Sequence, residues 1–233
     1  MDWQIPKMWE DGECWILGGG PSLSHQFNIP EDTIQRVLNR EESPSVYSPY
    51  LSALHTKHVI AVNAAYLLGD WMDIIFFGDA NFYRTNRKQL LFYPKLKVTC
   101  NSKLKQYTKA GEIKCVARDN NKPHGLTIRK GHVSWNGNSG AAAINLAVQL
   151  GAKKIILLGF DMECTEGMQH WHSHYKPKGQ PNMKELRKLP FHRHIKCFEH
   201  VAKDAKRLGV EILNVSPHSQ IKEIKKVQIQ DVL

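Results

Sequence analysis

No apolar run in these 233 residues approaches the roughly 20 residues that cross a bilayer, which excludes a membrane-spanning helix. Residues 1–10 lack a basic stretch followed by an apolar one, so no secretory leader is read there and the expected location is the cytoplasm. Cysteine is sparse. Cys14, Cys100, Cys115, Cys164 and Cys197 are odd in number and never at C-x-x-C spacing, which excludes zinc-ribbon and dithiol redox motifs and predicts reduced structural thiols. Internal repeats, low-complexity tracts and linkers are missing too, so residues 1–233 are expected to form a single domain.

Acidic residues are also short, 22 against 32 Lys and Arg, for a net charge of +10. That excess favours anionic partners: nucleotides, nucleic acid, acidic glycans or a membrane surface. The cations run along the chain with modest clusters at Lys103–Lys109 and Lys222–Lys226, a pattern that a solvated basic surface explains equally well. With no DNA-binding module and no aromatic-studded basic run, nucleic acid binding is expected to be weak, salt-sensitive and sequence-independent.

What is present is an ordinary globular composition, 42% hydrophobic and 23% charged. Short apolar runs end at Gly, Asn or Asp: 14–17, 58–62, 72–77 and 154–158 read as buried strands, with 95–100, 112–116 and 210–215 more polar. Helical spacing appears over 32–39, over 139–150 (apolar almost all round, and therefore buried) and over 194–208, which Gly209 stops. Strand and helix in alternation predict an α/β fold with a doubly wound, mostly parallel sheet. Two stretches, about 41–57 and 165–189, fit neither period and are expected to be loops or lids.

Gly18-Gly19-Gly20-Pro21-Ser22 follows the first strand directly. Such a turn lets backbone amides approach an anion, with Ser22 adding a hydroxyl. It matches neither G-x-G-x-x-G nor the Lys-bearing P-loop, and a purely structural turn is the other reading. Asn63, Asp79, Gly159 and Asp161 also lie just past strands, where an open α/β sheet places its ligand crevice; Asx residues there also serve as caps. Asn138, Ser139 and Gly140 open the apolar helix, whose N-terminus suits phosphate. His170 and His172, in H-W-H, alternate as metal ligands in an extended segment would, although a polar loop also holds histidines for hydrogen bonding. His192, before the last long helix, is a candidate general base.

G-G-G-P-S-L, V-N-A-A-Y, N-S-G-A-A-A-I-N-L-A and I-I-L-L-G-F-D-M together resemble a Rossmann-like superfamily. It includes bacterial lipooligosaccharide sialyltransferases, archaeal 6-hydroxymethylpterin diphosphokinase, flagellin-glycosylation-associated proteins and a phage-encoded group. The resemblance runs from Trp15 to Pro217 and implies a Rossmann-like, nucleotide-binding domain. It further implies that Gly18 to Leu23 form the first phosphate turn, with Gly19 replacing a donor-contacting asparagine. Asn63 takes the second asparagine's place, Ser139-Gly140 the nucleotide pocket's, Gly159 and Asp161 the G-x-D's, and His192 the catalytic base's. The tyrosine that holds the leaving phosphate is missing, with Glu163 near its place. The expected activity is transfer from a nucleotide-activated donor, a nucleotide sugar, to an anionic acceptor. Asp161 then orients the donor, His192 deprotonates the acceptor hydroxyl, and Asp79 is the third candidate catalytic residue. The alternatives are a metal-dependent diphosphokinase or nucleotide hydrolase, with a divalent ion held by Asp79, Asp161 and His170 or His172, and a non-catalytic nucleotide-binding accessory protein.

Overall fold

The aliphatic runs become strands because each can bury both faces. The structure, a computed structural model, describes residues 3–165, 167–175 and 191–233. Its strands are β1 (Glu13–Leu17), β2 (Val59–Val62), β3 (Ile74–Phe77), β4 (Leu96–Thr99), β5 (Lys114–Cys115), β6 (Ala117–Arg118), β7 (His132–Val133), β8 (Lys154–Leu158), β9 (Glu211–Asn214) and β10 (Lys225–Lys226). Eight of them form one sheet in the order β10-β9-β8-β1-β2-β3-β4-β5, and β6 pairs with β7 apart from it. Every pairing between these strands is parallel.

Alternate residues of each strand enter different cores. Cys14 and Ile16 of β1 join one buried cluster, together with the β2 residue Ile60 and the β3 residue Phe76. Trp15 and Leu17 join the other, with Ala61 and Phe77. Helices α1 (Ser22–Gln26), α2 (Glu31–Leu38) and α3 (Ala80–Phe92) cover the second face, while α5 (Ser139–Leu150) and α7 (Cys197–Leu208) cover the first. Among the described residues there are also two short helices, α4 (Lys105–Lys109) and α6 (Phe191–Ile195). This is the doubly wound, parallel α/β sheet that the alternation predicts.

Three local differences have physical causes. The helix expected over 194–208 divides into α6 and α7. Helix α3 escapes the periodic reading because Asn81, Thr85 and Asn86 are weak helix formers; the Asp79 side chain starts it by accepting the Asn81 N–H at 2.8 Å. Stretch 41–57, expected as a loop, holds a 3₁₀ helix, Pro44–Leu54, anchored by the fully buried Tyr47, Leu51 and Leu54. Most of the other expected lid, 165–189, lies outside the described residues.

From β1 the chain winds outward through β2 to β5, then returns to β8 on the other side of β1 and winds out to β10. The order therefore reverses between β1 and β8, and a crevice opens beyond their carboxyl ends.

Candidate functional site

Two turns meet at that reversal. Gly18 N–H donates to the Leu158 carbonyl and Gly20 N–H to the Gly159 carbonyl, both at 2.8 Å. Gly159 has φ +72°, in the left-handed region that favours glycine. The three consecutive glycines serve close approach. A β-carbon would lie 2.5 Å from the Gly159 oxygen at residue 18, 2.8 Å from His170 Nδ1 at residue 19 and 1.7 Å from Asp161 Oδ2 at residue 20. Gly19 N–H, in contrast, has no acceptor among the described residues.

Asp161, 2% exposed, lies under this turn and accepts the Ser22 N–H at 3.3 Å. Burial pushes its carboxyl above the usual range, against the pull of the Ser22 hydrogen bonds. Ser216 Oγ, just past β9, accepts both the Ser22 hydroxyl and the Phe160 N–H at 3.0 Å. Phe160 in turn separates Gly18 from Gly140: β-carbons there would come within 3.1 Å and 2.6 Å of its ring. The glycine turn and the start of α5 thus flank one aromatic ring. Asn138 caps α5, its Oδ1 accepting the Gly140 N–H at 2.8 Å and the Ala141 N–H at 3.3 Å. Ser139 N–H has no acceptor among the described residues.

The H-W-H segment closes over the turn. Trp171, fully buried, donates its indole N–H to the Gly18 carbonyl at 3.0 Å and its backbone N–H to the Gly19 carbonyl at 3.1 Å. His170 Nδ1 lies 3.2 Å from the Gly19 oxygen and must carry the proton to donate. His172, 3% exposed, accepts the His174 N–H on Nδ1 at 3.2 Å. Its proton therefore sits on Nε2, which is buried and has no partner. Burial pushes His170 down to about 4 and His172 well below the ordinary histidine value. Both are neutral near pH 7.

Beyond Tyr175, which packs on His172 with ring centroids 5.1 Å apart, lies a cleft of about 290 Å³ lined by Asn63, Asp79, Asn81, Phe82, His174 and Tyr175, among others. Asn63 holds φ +52°, unusual for a non-glycine, and its buried Oδ1 has no partner. A second cleft, about 410 Å³, is lined by Ser22, Asp161, Gln26, His218 and Gln228, among others.

No family model matches the sequence, and no curated protein matches it. Several solved structures match the fold, three of them as follows. Sialyltransferase CstII from Campylobacter jejuni, in complex with the substrate analogue cytidine-5'-monophosphate, aligns with 92% of this chain and 84% of its own at 16% identity and TM-score 0.52. Monofunctional alpha-2,3-sialyltransferase Cst-I from the same organism aligns over 98% and 83% at 16% identity and TM-score 0.53. MAf glycosyltransferase from Magnetospirillum magneticum AMB-1 covers all of this chain with 36% of its own, at 12% identity and TM-score 0.56. The fold is shared with these bacterial glycosyltransferases.

Within this glycosyltransferase-like fold, the residues singled out from the sequence converge unevenly. Gly18 to Ser22, Gly159, Asp161, Gly140 and His170 meet at the β1–β8 reversal, while Asn63 and Asp79 line the neighbouring cleft. His192 is exposed on α6, one turn from the α5 cap: Asn138 Nδ2 donates to the His194 carbonyl at 3.4 Å. The sequence reading missed Trp171, Tyr175 and Ser216 as site residues. Trp171 and Tyr175 flank the histidines it noted, and Ser216 follows a strand end as Asp161 does.

As a metal clamp, His170 and His172 do not fit. Their rings stack in parallel with centroids 5.1 Å apart, and with Nδ1 of His172 already an acceptor, His170 Nε2 alone offers a free lone pair. Among the described residues no three His, Cys, Asp or Glu side chains are grouped to hold a metal ion.

Proposed function

We propose that this chain is a transferase that uses a nucleotide-activated donor, a nucleotide sugar, and acts on a hydroxyl of an anionic acceptor. The observation that carries the reading is two buried, unpartnered polar groups of opposite sense: the Asn63 Oδ1 acceptor, whose residue lines the 290 Å³ cleft, and the His172 Nε2–H donor, whose ring packs on Tyr175 at the cleft wall. Buried polar groups left without partners cost about 1–3 kcal/mol each, a cost that a ligand with both an anionic acceptor and a hydroxyl donor removes. A nucleoside phosphate has both.

In this reading Gly19 N–H, Ser139 N–H and His172 Nε2–H face the donor phosphates. Asn63 accepts from a ribose hydroxyl, and Gly18, Gly20, Pro21, Asn138, Gly140 and Gly159 shape the turn and helix start around them. The acceptor oxygen attacks the anomeric carbon while the bond to the nucleotide's phosphate oxygen breaks. His192 takes the acceptor proton. Asp161 acts through Ser22 and is a positioning residue, and Asp79 both caps α3 and lines the cleft. The complex of CstII with cytidine-5'-monophosphate, in the same fold, supports a cytidine nucleotide as the first donor to test.

The test is a thermal-shift series with CMP, UMP, ADP, GDP and their sugars, with and without Mn²⁺. Ligand at about 100 times its dissociation constant adds roughly 2.7 kcal/mol, and Gly19→Val, which drives a side chain into His170, should remove the shift from a folded protein. Silence from every nucleotide overturns the proposal. A shift that requires Mn²⁺ favours the diphosphokinase or hydrolase reading instead.

A further inference from the structure

Nearly all of the net charge comes from one stretch. Between Ala80 and Arg118 the chain holds ten Lys and Arg and a single carboxylate, Glu112, so nine of the ten excess positive charges lie there. The fold gathers them along one side, because this stretch forms α3, β4, α4 and β5, and β5 is an edge strand. Arg87 is engaged with Glu112 and lies over the Tyr107 ring, and Arg118 donates to the Cys100 carbonyl. Arg84, Lys88, Lys95, Lys103, Lys109 and Lys114 are exposed.

Helix α3 adds an apolar tip. Phe82, Tyr83, Asn86 and Leu90 face the core, which leaves Arg84, Lys88, Leu91 and Phe92 on the outer stripe at i, i+4, i+7 and i+8. Leu91 is 45% exposed and Phe92 87%, more than any other large hydrophobic side chain described. Lys88 precedes this pair by one turn and Lys95 follows it.

We propose that this edge is a docking surface for an anionic lipid bilayer, with Leu91 and Phe92 entering the headgroup–acyl boundary and the surrounding lysines facing lipid phosphates. The strength of peripheral attachment scales with the apolar area inserted plus the attraction of basic side chains to anionic lipids, and both features stand together here. A single-stranded nucleic acid would need successive aromatic plates. The neighbouring aromatics Phe82, Tyr83 and Tyr93 are buried instead, and Tyr107 packs between Tyr83 and Arg87. Asp79, Asn81, Phe82, Thr85 and Asn86 line the 290 Å³ cleft from the first turns of α3; Phe92 lies about 9 Å along the helix beyond the last of them and about 20 Å beyond the first. Docking through its end leaves that cleft open. The inference does not rest on the donor chemistry.

The experiment is co-sedimentation of the full chain with vesicles of phosphatidylcholine alone or mixed with phosphatidylglycerol. Binding is expected to the mixed vesicles alone at about 0.1 M salt and to vanish near 1 M, where the screening length falls to roughly 3 Å. Each cation at an anionic surface contributes about five-fold in partition, so Lys88→Glu with Lys95→Glu should lower binding by more than about 25-fold. Phe92→Ser, at a position the core does not use, should lower it several-fold with the melting temperature unchanged. Lys225→Glu with Lys226→Glu, the same charge change on the opposite edge, should have little effect. Equal loss from both charge reversals, or binding indifferent to Phe92→Ser, overturns the proposal. Tighter binding to a short oligonucleotide than to vesicles, lost with Lys88→Glu and Lys95→Glu, assigns the face to nucleic acid and overturns it as well.

Discussion

Gly20 and Asp161 are in such close contact that a β-carbon on residue 20 would sit 1.7 Å from Asp161 Oδ2. The contact joins the turn after β1 to the turn after β8, at the point where the strand order reverses. Asp161 reaches across it to the Ser22 N–H, so the glycine makes room for the carboxylate that holds the turn.

Gly20→Ala forces atoms into occupied space, and overpacking of this kind costs about 1–3 kcal/mol. Asp161→Ala leaves the Ser22 N–H unpaired at a similar cost. The double variant should cost less than the two together, because removing the carboxylate makes room for the new methyl group. Urea unfolding of the four proteins measures this, and strict additivity would show that the two residues do not press on each other.

Trp171 separates packing from hydrogen bonding. Trp171→Ala empties a fully buried site and should cost about 3–5 kcal/mol. Trp171→Phe keeps most of the volume but strands the Gly18 carbonyl, for about 1–3 kcal/mol. Both should weaken the nucleotide-induced thermal shift, since the segment loses its hold on the glycine turn. Denaturant midpoints that rank phenylalanine as no better than alanine would contradict the packing argument.

Acid should destabilise the protein through its buried histidines. His170 titrates near 4 in the fold against 6.5 when free, so between those values the unfolded chain holds more protons. The contribution of His170 is therefore complete above about pH 6.5 and lost as pH falls through 4, an integral of about 3 kcal/mol. Asp161, raised by burial, works in the opposite sense: its contribution is present at low pH and lost as pH rises. The informative quantity is thus the difference between wild type and His170→Gln. Melting temperatures across this range should converge as pH falls; parallel curves would rule out His170 as the cause.

His192→Ala should lower turnover by about 10²–10⁴-fold with nucleotide affinity little changed, as expected when a general base is removed from an exposed helix turn. Single-turnover rates with the best nucleotide sugar from the thermal screen measure it. Full activity would remove His192 from the mechanism.

Local pattern fixed the strands and the fold class. Runs such as Ile155 to Leu158 bury both faces whichever helices cover them, and a triglycine stretch after a strand has few roles other than a tight turn. Helix α3 was harder to read, because its start rests on the Asp79 cap and its stability on Phe82, Tyr83 and Leu90 meeting the sheet. The 3₁₀ helix Pro44–Leu54 is similar, a polar segment that Tyr47 and Leu51 order by burial.

The sequence by itself determined that a parallel, doubly wound sheet would form with glycine, Asn and Asp at its strand ends, because apolar period and turn chemistry are local properties. What each of those residues faces was decided by tertiary structure alone. Gly18 and Gly159 are 141 positions apart, and they touch because β1 pairs with the distant β8 as well as with its sequence neighbour β2. The same long-range pairing brings His170 and Trp171 onto the glycine turn and fixes which histidine nitrogen carries its proton. Strand order carries this information, and strand order is set by the packing of the whole chain.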